Sequence, residues 1–172
     1  MAEPESPFDP LPILEVLERH KVRFILIGAA AAIVQGSPIP TEDVDITPAR
    51  DQENLERLAS ALRELGAKLR TPKEAMEFPV DGPFLNVGEI WTLSTPHGDL
   101  DISFIPSGTR GYDDLKRDAV ELELGPGVVV QVASLADVIR SKQAAGRLKD
   151  LGQLPALRQT LEVIRERERG QS

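Results

Sequence analysis

Apolar positions along the chain fall into two periods. Leu11, Ile13, Leu14 and Leu17 recur at helical spacing and predict a helix over Pro10–Lys21. Val22 to Ile27 is a short apolar run, read as a buried strand that Gly28 breaks. Ala29 to Gln35 predicts a short helix, ended by Gly36-Ser37-Pro38. From Asp43 to Thr47 the period shortens to two, with Val44 and Ile46 alternating against Asp43 and Asp45, as in a strand. Asp51 to Leu65 returns to the helical period, with Leu55, Leu58, Leu62 and Leu65 as one stripe and Gly66 just past its end.

The second half reads the same way. Residues 67–88 are rich in Pro and Gly, and predict one weak strand around Ala75–Phe78. Ile90–Thr95 and Asp99–Ile105 predict two strands joined at Pro96-His97-Gly98. Val120–Leu124 and Val128–Val132 predict another pair around Gly125-Pro126-Gly127. Ser134 opens a helix to about Ala145, with Asp137 three residues on as an approximate capping box. Gly146 interrupts, and a last helix covers roughly Asp150 to Arg169, whose Glu162–Arg169 end alternates in charge like a solvated face. The expected fold is mixed α/β (α+β). A loose tail is expected over 1–9 and a single domain over 10–169, with its core at 22–132 and C-terminal helices at 134–169.

Composition narrows the chemistry. The chain has 172 residues, a net charge of −8 and no cysteine. That length suits one domain with a sizeable core. Without cysteine, disulfides, thiol catalysis and Cys-based zinc sites are excluded. The acidic balance argues against a protein that coats nucleic acid, because neutralising phosphates needs a basic surface. No apolar run approaches the roughly 18 residues of a membrane span, so no membrane partner is expected. The acidic start, Met1-Ala2-Glu3-Pro4-Glu5, lacks the basic beginning of a signal peptide. A cytoplasmic protein is the expectation.

Charge placement matters more than charge total. Residues two apart on a strand share a face, so Asp43 and Asp45 point the same way. Two ionised carboxylates that close repel each other unless both face solvent or a cation sits between them. Asp99-Leu100-Asp101-Ile102 repeats the pattern, with Asp99, Asp101 and Ser103 on one face. If the two strands pair, a third carboxylate joins the first two; otherwise the second pattern is a hairpin with a polar face. Three carboxylates can hold divalent cations and serve a phosphoryl displacement. Upstream, Phe24-Ile25-Leu26-Ile27-Gly28-Ala29-Ala30-Ala31-Ala32 places small residues at a strand-to-helix junction. Backbone N–H groups there suit an anion, and the alanines equally suit close helix–sheet packing. It is neither a P-loop nor a Rossmann fingerprint. Over 137–150, Arg140, Lys142, Arg147 and Lys149 outnumber Asp137 and Asp150, leaving a local charge of +2. His20, His97 and Trp91 carry no comparable pattern: His97 lies in a turn beside Asp99, and core packing is the expected use of Trp91.

Taken in order, these pieces resemble the nucleotidyltransferase superfamily with its polymerase-β-like fold. The pattern is an apolar strand, a pair of small residues, a short helix, an Asp-x-Asp strand and a later Asp between apolar residues. Gly28-Ala29 fills the small pair, with thirteen residues between Ala29 and Asp43, and Leu100-Asp101-Ile102 fills the last place. Within the superfamily, Ile27–Ile46, Glu53–Leu58, Thr95–Asp101 and above all Leu135–Asp150 are similar to small bacterial proteins akin to AbiEii-type toxins. The resemblance covers roughly residues 22–157.

The resemblance implies a metal-dependent nucleotidyltransferase. It would move a nucleoside monophosphate from an NTP to a hydroxyl on RNA, protein or a small molecule. It implies Mg²⁺ or Mn²⁺ held by Asp43, Asp45 and Asp101, with Asp101 also as general base. It implies phosphate contacts from the Gly28-Ala29 backbone and from Lys142, Arg147 and Lys149, with Asp150 orienting one of those cations. A toxin–antitoxin or phage-defence setting, with an antitoxin or other partner chain, belongs to the same implication. Three positions depart from the family pattern: Ala29 stands for the usual Gly or Ser, and Gln35 and Ile39 stand around the turn where related sequences often carry His and Arg. The alternative is a non-catalytic nucleotide-binding or regulatory module of the same fold, acting with a partner protein.

Overall fold

The computed structural model describes residues 8–171. Most of the expected tail, residues 1–7, lies outside the described residues. Phe8, at its end, packs against the core beside Gly98, where its ring fills the space a β-carbon would take.

Seven helices and seven strands follow in chain order among the described residues. They are α1 (Leu11–Arg19), β1 (Phe24–Ile27), α2 (Gly28–Val34), β2 (Asp43–Pro48), α3 (Gln52–Glu64), β3 (Lys68–Leu69) and α4 (Gly82–Leu85). Then come β4 (Ile90–Thr95), β5 (Gly98–Ser103), α5 (Tyr112–Lys116), β6 (Val120–Gly125), β7 (Val128–Val132), α6 (Leu135–Ala145) and α7 (Leu148–Gly170). The strands form one mixed sheet in the order β3-β4-β5-β2-β1-β7-β6. The β2–β5 and β1–β7 pairs are parallel; the other neighbours are antiparallel. The mixed α/β reading therefore holds.

Alternation decides which side of the sheet becomes core. Leu26, Val44, Ile46, Leu93, Leu100, Ile102, Val130 and Val132 are almost fully buried. Pairing registers put Leu26 beside Ile46, Val44 beside Leu100, and Ile46 beside Ile102, so these side chains share one face. Helix α1 supplies Leu14 and Leu17 to the same cluster, and α3 supplies Leu55, Leu58 and Leu62. Each such side chain contributes about 1.5–3 kcal/mol through burial. The opposite face of β2 and β5 carries Asp43, Asp45, Asp99 and Asp101.

Caps set the helix ends where the sequence signals them. Asp51 caps α3 by accepting a hydrogen bond from the Asn54 backbone N–H. Ser134 caps α6 by accepting from the Asp137 N–H, and Gly146 closes it at φ 66°. Asn54 is fully buried and joins α3 to the sheet: its Oδ1 accepts from the Arg23 N–H, and its Nδ2 donates to the carbonyls of Arg23 and Ala49.

Three short elements differ from the sequence expectation. In the 67–88 stretch, the predicted strand at Ala75–Phe78 is a single bridge from Met76 to Leu69, while the strand is β3 at Lys68–Leu69. Two residues are too few to show alternation. Helices α4 and α5 have only four and five residues, too short for a helical stripe. The last helix begins at Leu148, immediately after the Gly146-Arg147 break.

Candidate functional site

Parallel pairing of β2 with β5 brings the two Asp-x-Asp stretches side by side in register: Asp43 lies across from Asp99 and Asp45 across from Asp101. Asp43, Asp45 and Asp101 each present a carboxylate oxygen within 4.8 Å of the other two. The predicted convergence of these three is thus observed.

The neighbouring strand and helix shape the site. In the β1–β2 ladder Ile27 lies opposite Asp45, and α2 starts immediately after it at Gly28. Gly28 has φ +68°, a conformation that favours glycine, and a β-carbon there would stand 2.5 Å from Asp45 Oδ2. Glycine is therefore required by the close approach of the Asp45 carboxylate. Ala29 follows in the first turn of α2, a helix with no side-chain cap at its N-terminus. Two of the three departing positions do structural work: Gln35 donates to the carbonyls of Ala31 and Ala133, and Ile39 is buried in the core.

Burial and like charge act together on the carboxylates. Burial first, then Asp43 and Asp101, push the Asp45 carboxyl up to about 7, while Lys142 and Arg147 pull it the other way. Asp101 is raised too, chiefly by burial and also by Asp43 and Asp99, against the opposing pull of Arg70.

Arg70 is a site residue without a sequence signal. It follows β3 in the Pro- and Gly-rich stretch, and only the strand order brings it to β5. Its guanidinium pairs with Asp101 Oδ1 at 2.7 Å and Asp99 Oδ2 at 3.2 Å, and donates to the Leu93 carbonyl. Burial disfavours its charge, but the hydrogen bond to Asp101 and the fields of Asp101, Asp99 and Asp43 outweigh this and raise its pKa.

On the other side, the α6–α7 junction supplies cations. Asp150 is 2% exposed. It accepts from Arg147 Nε at 2.6 Å and from Lys142 Nζ at 3.4 Å. Burial raises the Asp150 carboxyl, yet Arg147 and Lys142 more than offset this and hold it below the usual range. Asp150 thus positions Lys142 and Arg147, both of which act on Asp45. Lys149 is exposed on the first turn of α7, and no ion pair joins it to Asp150 or to the three aspartates. His97 is exposed in the β4–β5 turn. Trp91 packs with Phe78 and Phe84 and donates its indole N–H to the Leu85 carbonyl, a core role.

Two solved structures share this architecture. The lincosamide antibiotic adenylyltransferase LnuA, in its lincomycin-bound form, superposes with a TM-score of 0.59 at 17% identity, over 89% of this chain and 98% of that one. The fold is nucleotidyltransferase-like. The antibiotic-resistance factor ANT(2'')-Ia, solved in solution, gives a TM-score of 0.52 at 14% identity, over 92% of this chain and 88% of that one. No protein-family model matches the chain, and no curated protein matches it in sequence. At these identities the shared property is the fold, so the chemistry has to be argued from the residues.

The residues fit a divalent cation. Every donor is a carboxylate oxygen, the type Mg²⁺ and Mn²⁺ select. Asp45 is protonated too easily for a buried carboxylate with enough positive partners, so a cation would relieve a repulsion already present. Gly28 leaves the space beside Asp45 Oδ2 unfilled by any side chain of its own.

Proposed function

We propose that the protein is a metal-dependent nucleotidyltransferase acting on an NTP and a hydroxyl acceptor. The observation that carries this reading is the in-register placement of Asp43, Asp45 and Asp101 on one polar face of a nucleotidyltransferase-like sheet. Asp43, Asp45 and Asp101 would hold the divalent cation. When bound, that cation offsets the charge on the transferring phosphate and the departing pyrophosphate.

The chain's own residues then have distinct tasks. The acceptor hydroxyl oxygen forms a bond to the α-phosphorus, the α–β phosphoanhydride bond breaks, and pyrophosphate leaves. Asp101 is assigned to receive the hydroxyl proton as general base. The backbone at Gly28 and Ala29, at the start of α2 beside Asp45, is assigned a phosphate contact. Lys142 and Arg147 stabilise phosphate charge from the α6–α7 side, held there by Asp150. Lys149, exposed and outside that group, is assigned to the acceptor or the outer phosphates.

The acceptor is a hydroxyl on a small molecule, RNA or protein; LnuA, an adenylyltransferase solved with lincomycin, makes small molecules the first pool to test. A toxin–antitoxin role rests on the stretches Ile27–Ile46, Glu53–Leu58, Thr95–Asp101 and above all Leu135–Asp150, and is the narrower form of the proposal. Incubation with each α-labelled NTP, Mg²⁺ or Mn²⁺, and separate pools of small molecules, RNA and protein tests the reading. Label transfer that Asp43→Asn and Asp45→Asn abolish supports it. Tight NTP binding with no transfer to any pool favours the non-catalytic module.

A further inference from the structure

We infer that Arg70 stands in for one of two metal ions, so that the aspartate site takes a single divalent cation. The inference rests on the proposed function above and refines it. A two-cation site places the ions about 3.5–4 Å apart, with carboxylates shared between them. Here one of the three carboxylates, Asp101, already has its Oδ1 2.7 Å from Arg70, which leaves two without an ion pair. The same guanidinium pairs with Asp99 at 3.2 Å, so the fourth carboxylate of this face is engaged as well.

Arg70 is not a loose surface cation. Its side chain is about two-thirds covered, at 33% exposure. Its guanidinium also donates to the Leu93 carbonyl at 3.0 Å, and its backbone N–H donates to the Thr92 carbonyl at 2.9 Å. Acceptors on β4 and β5 thus fix it at the edge of the cluster. A second dication would have to share Asp101 with a guanidinium that cannot give up its proton. Among the described residues no guanidinium or ammonium forms an ion pair with Asp43 or Asp45, which leaves both open to one cation beside the second oxygen of Asp101.

The test is Mn²⁺ alone, titrated calorimetrically and by the loss of free-ion electron paramagnetic resonance signal. Wild-type protein is expected to bind one equivalent. Arg70→Gln, with its fold checked by circular dichroism, is expected to bind a second equivalent or to bind the first at least tenfold more tightly. If wild-type protein binds two equivalents of similar affinity, the inference fails and the proposed function stands. If it binds none, the metal-dependent reading fails and takes the inference with it. An Arg70→Gln protein that binds like wild type also overturns the inference. Should that variant fail to fold, Arg70→Lys serves instead: a point charge kept at this position is expected to preserve one equivalent, and two equivalents in wild type remains the overturning result.

Discussion

Gly28 and Asp45 are matched to each other: a β-carbon on residue 28 would lie 2.5 Å from Asp45 Oδ2, and the backbone there has φ +68°. Gly28→Ala must either move the carboxylate or strain the strand-to-helix junction. Left-handed backbone costs a non-glycine residue roughly 1–2 kcal/mol before any clash is counted. The variant is expected to melt about 3–8 °C lower and to bind Mn²⁺ at least tenfold more weakly, as read by thermal denaturation and titration. Equal melting temperatures would show that the junction relaxes freely.

The Asp45→Asn protein separates stability from function. The amide keeps the shape and removes a buried charge that burial, Asp43 and Asp101 all disfavour. Without metal it is expected to be more stable than wild type by about 1–2 kcal/mol, while losing cation binding and transfer activity. Such opposite movement marks a residue kept for chemistry. Loss of both stability and activity would mark a structural one.

The pH dependence follows from the same residue. Asp45 binds its proton more tightly in the folded protein, at about 7, than a free aspartate does at 3.8. Between those values the folded state holds the extra proton, so this contribution to stability is greatest below about 4 and is lost as pH rises to about 7. Cation affinity should move the other way, rising with pH and levelling off above about 7, because the ligand must be deprotonated. Chemical denaturation across pH, with and without Mn²⁺, reads both trends. In Asp45→Asn the metal-free trend should flatten over that interval.

Asp150 offers a further check. Its carboxylate is buried and holds both Lys142 and Arg147. Asp150→Ala leaves Lys142, only 12% exposed, without its carboxylate. The expected cost is about 2–4 kcal/mol of stability, together with a raised KM for NTP. Lys149→Ala, by contrast, should leave the melting temperature within about 1 °C of wild type, as an exposed side chain outside that group.

The sequence was most legible where period and punctuation agreed. The β2 and β5 strands announce themselves because apolar and acidic positions alternate strictly, and that alternation alone puts Asp43, Asp45 and Asp101 on polar faces. Their register across the sheet is a tertiary fact that alternation does not contain. Helices α3 and α6 show their caps in Asp51, Gly66, Ser134 and Gly146. Arg70 stayed hidden for a physical reason. It follows a two-residue strand at the sheet edge, and its role depends wholly on β3 pairing with β4. Elements α4 and α5 each bury a single large apolar residue, Leu85 and Leu115, too few to make a periodic stripe, and Asp81 caps α4 by accepting from the Phe84 N–H.

Metal-dependent nucleotide binding tests the central claim without knowledge of the acceptor. A non-hydrolysable NTP analogue is titrated calorimetrically into wild-type protein and into Asp43→Asn/Asp45→Asn, each with and without Mn²⁺. Wild-type protein is predicted to bind the analogue at least a hundredfold more tightly with Mn²⁺ than without it, and the double variant to show no such gain. Binding that ignores Mn²⁺, or a Mn²⁺ gain that survives in the double variant, would contradict the account.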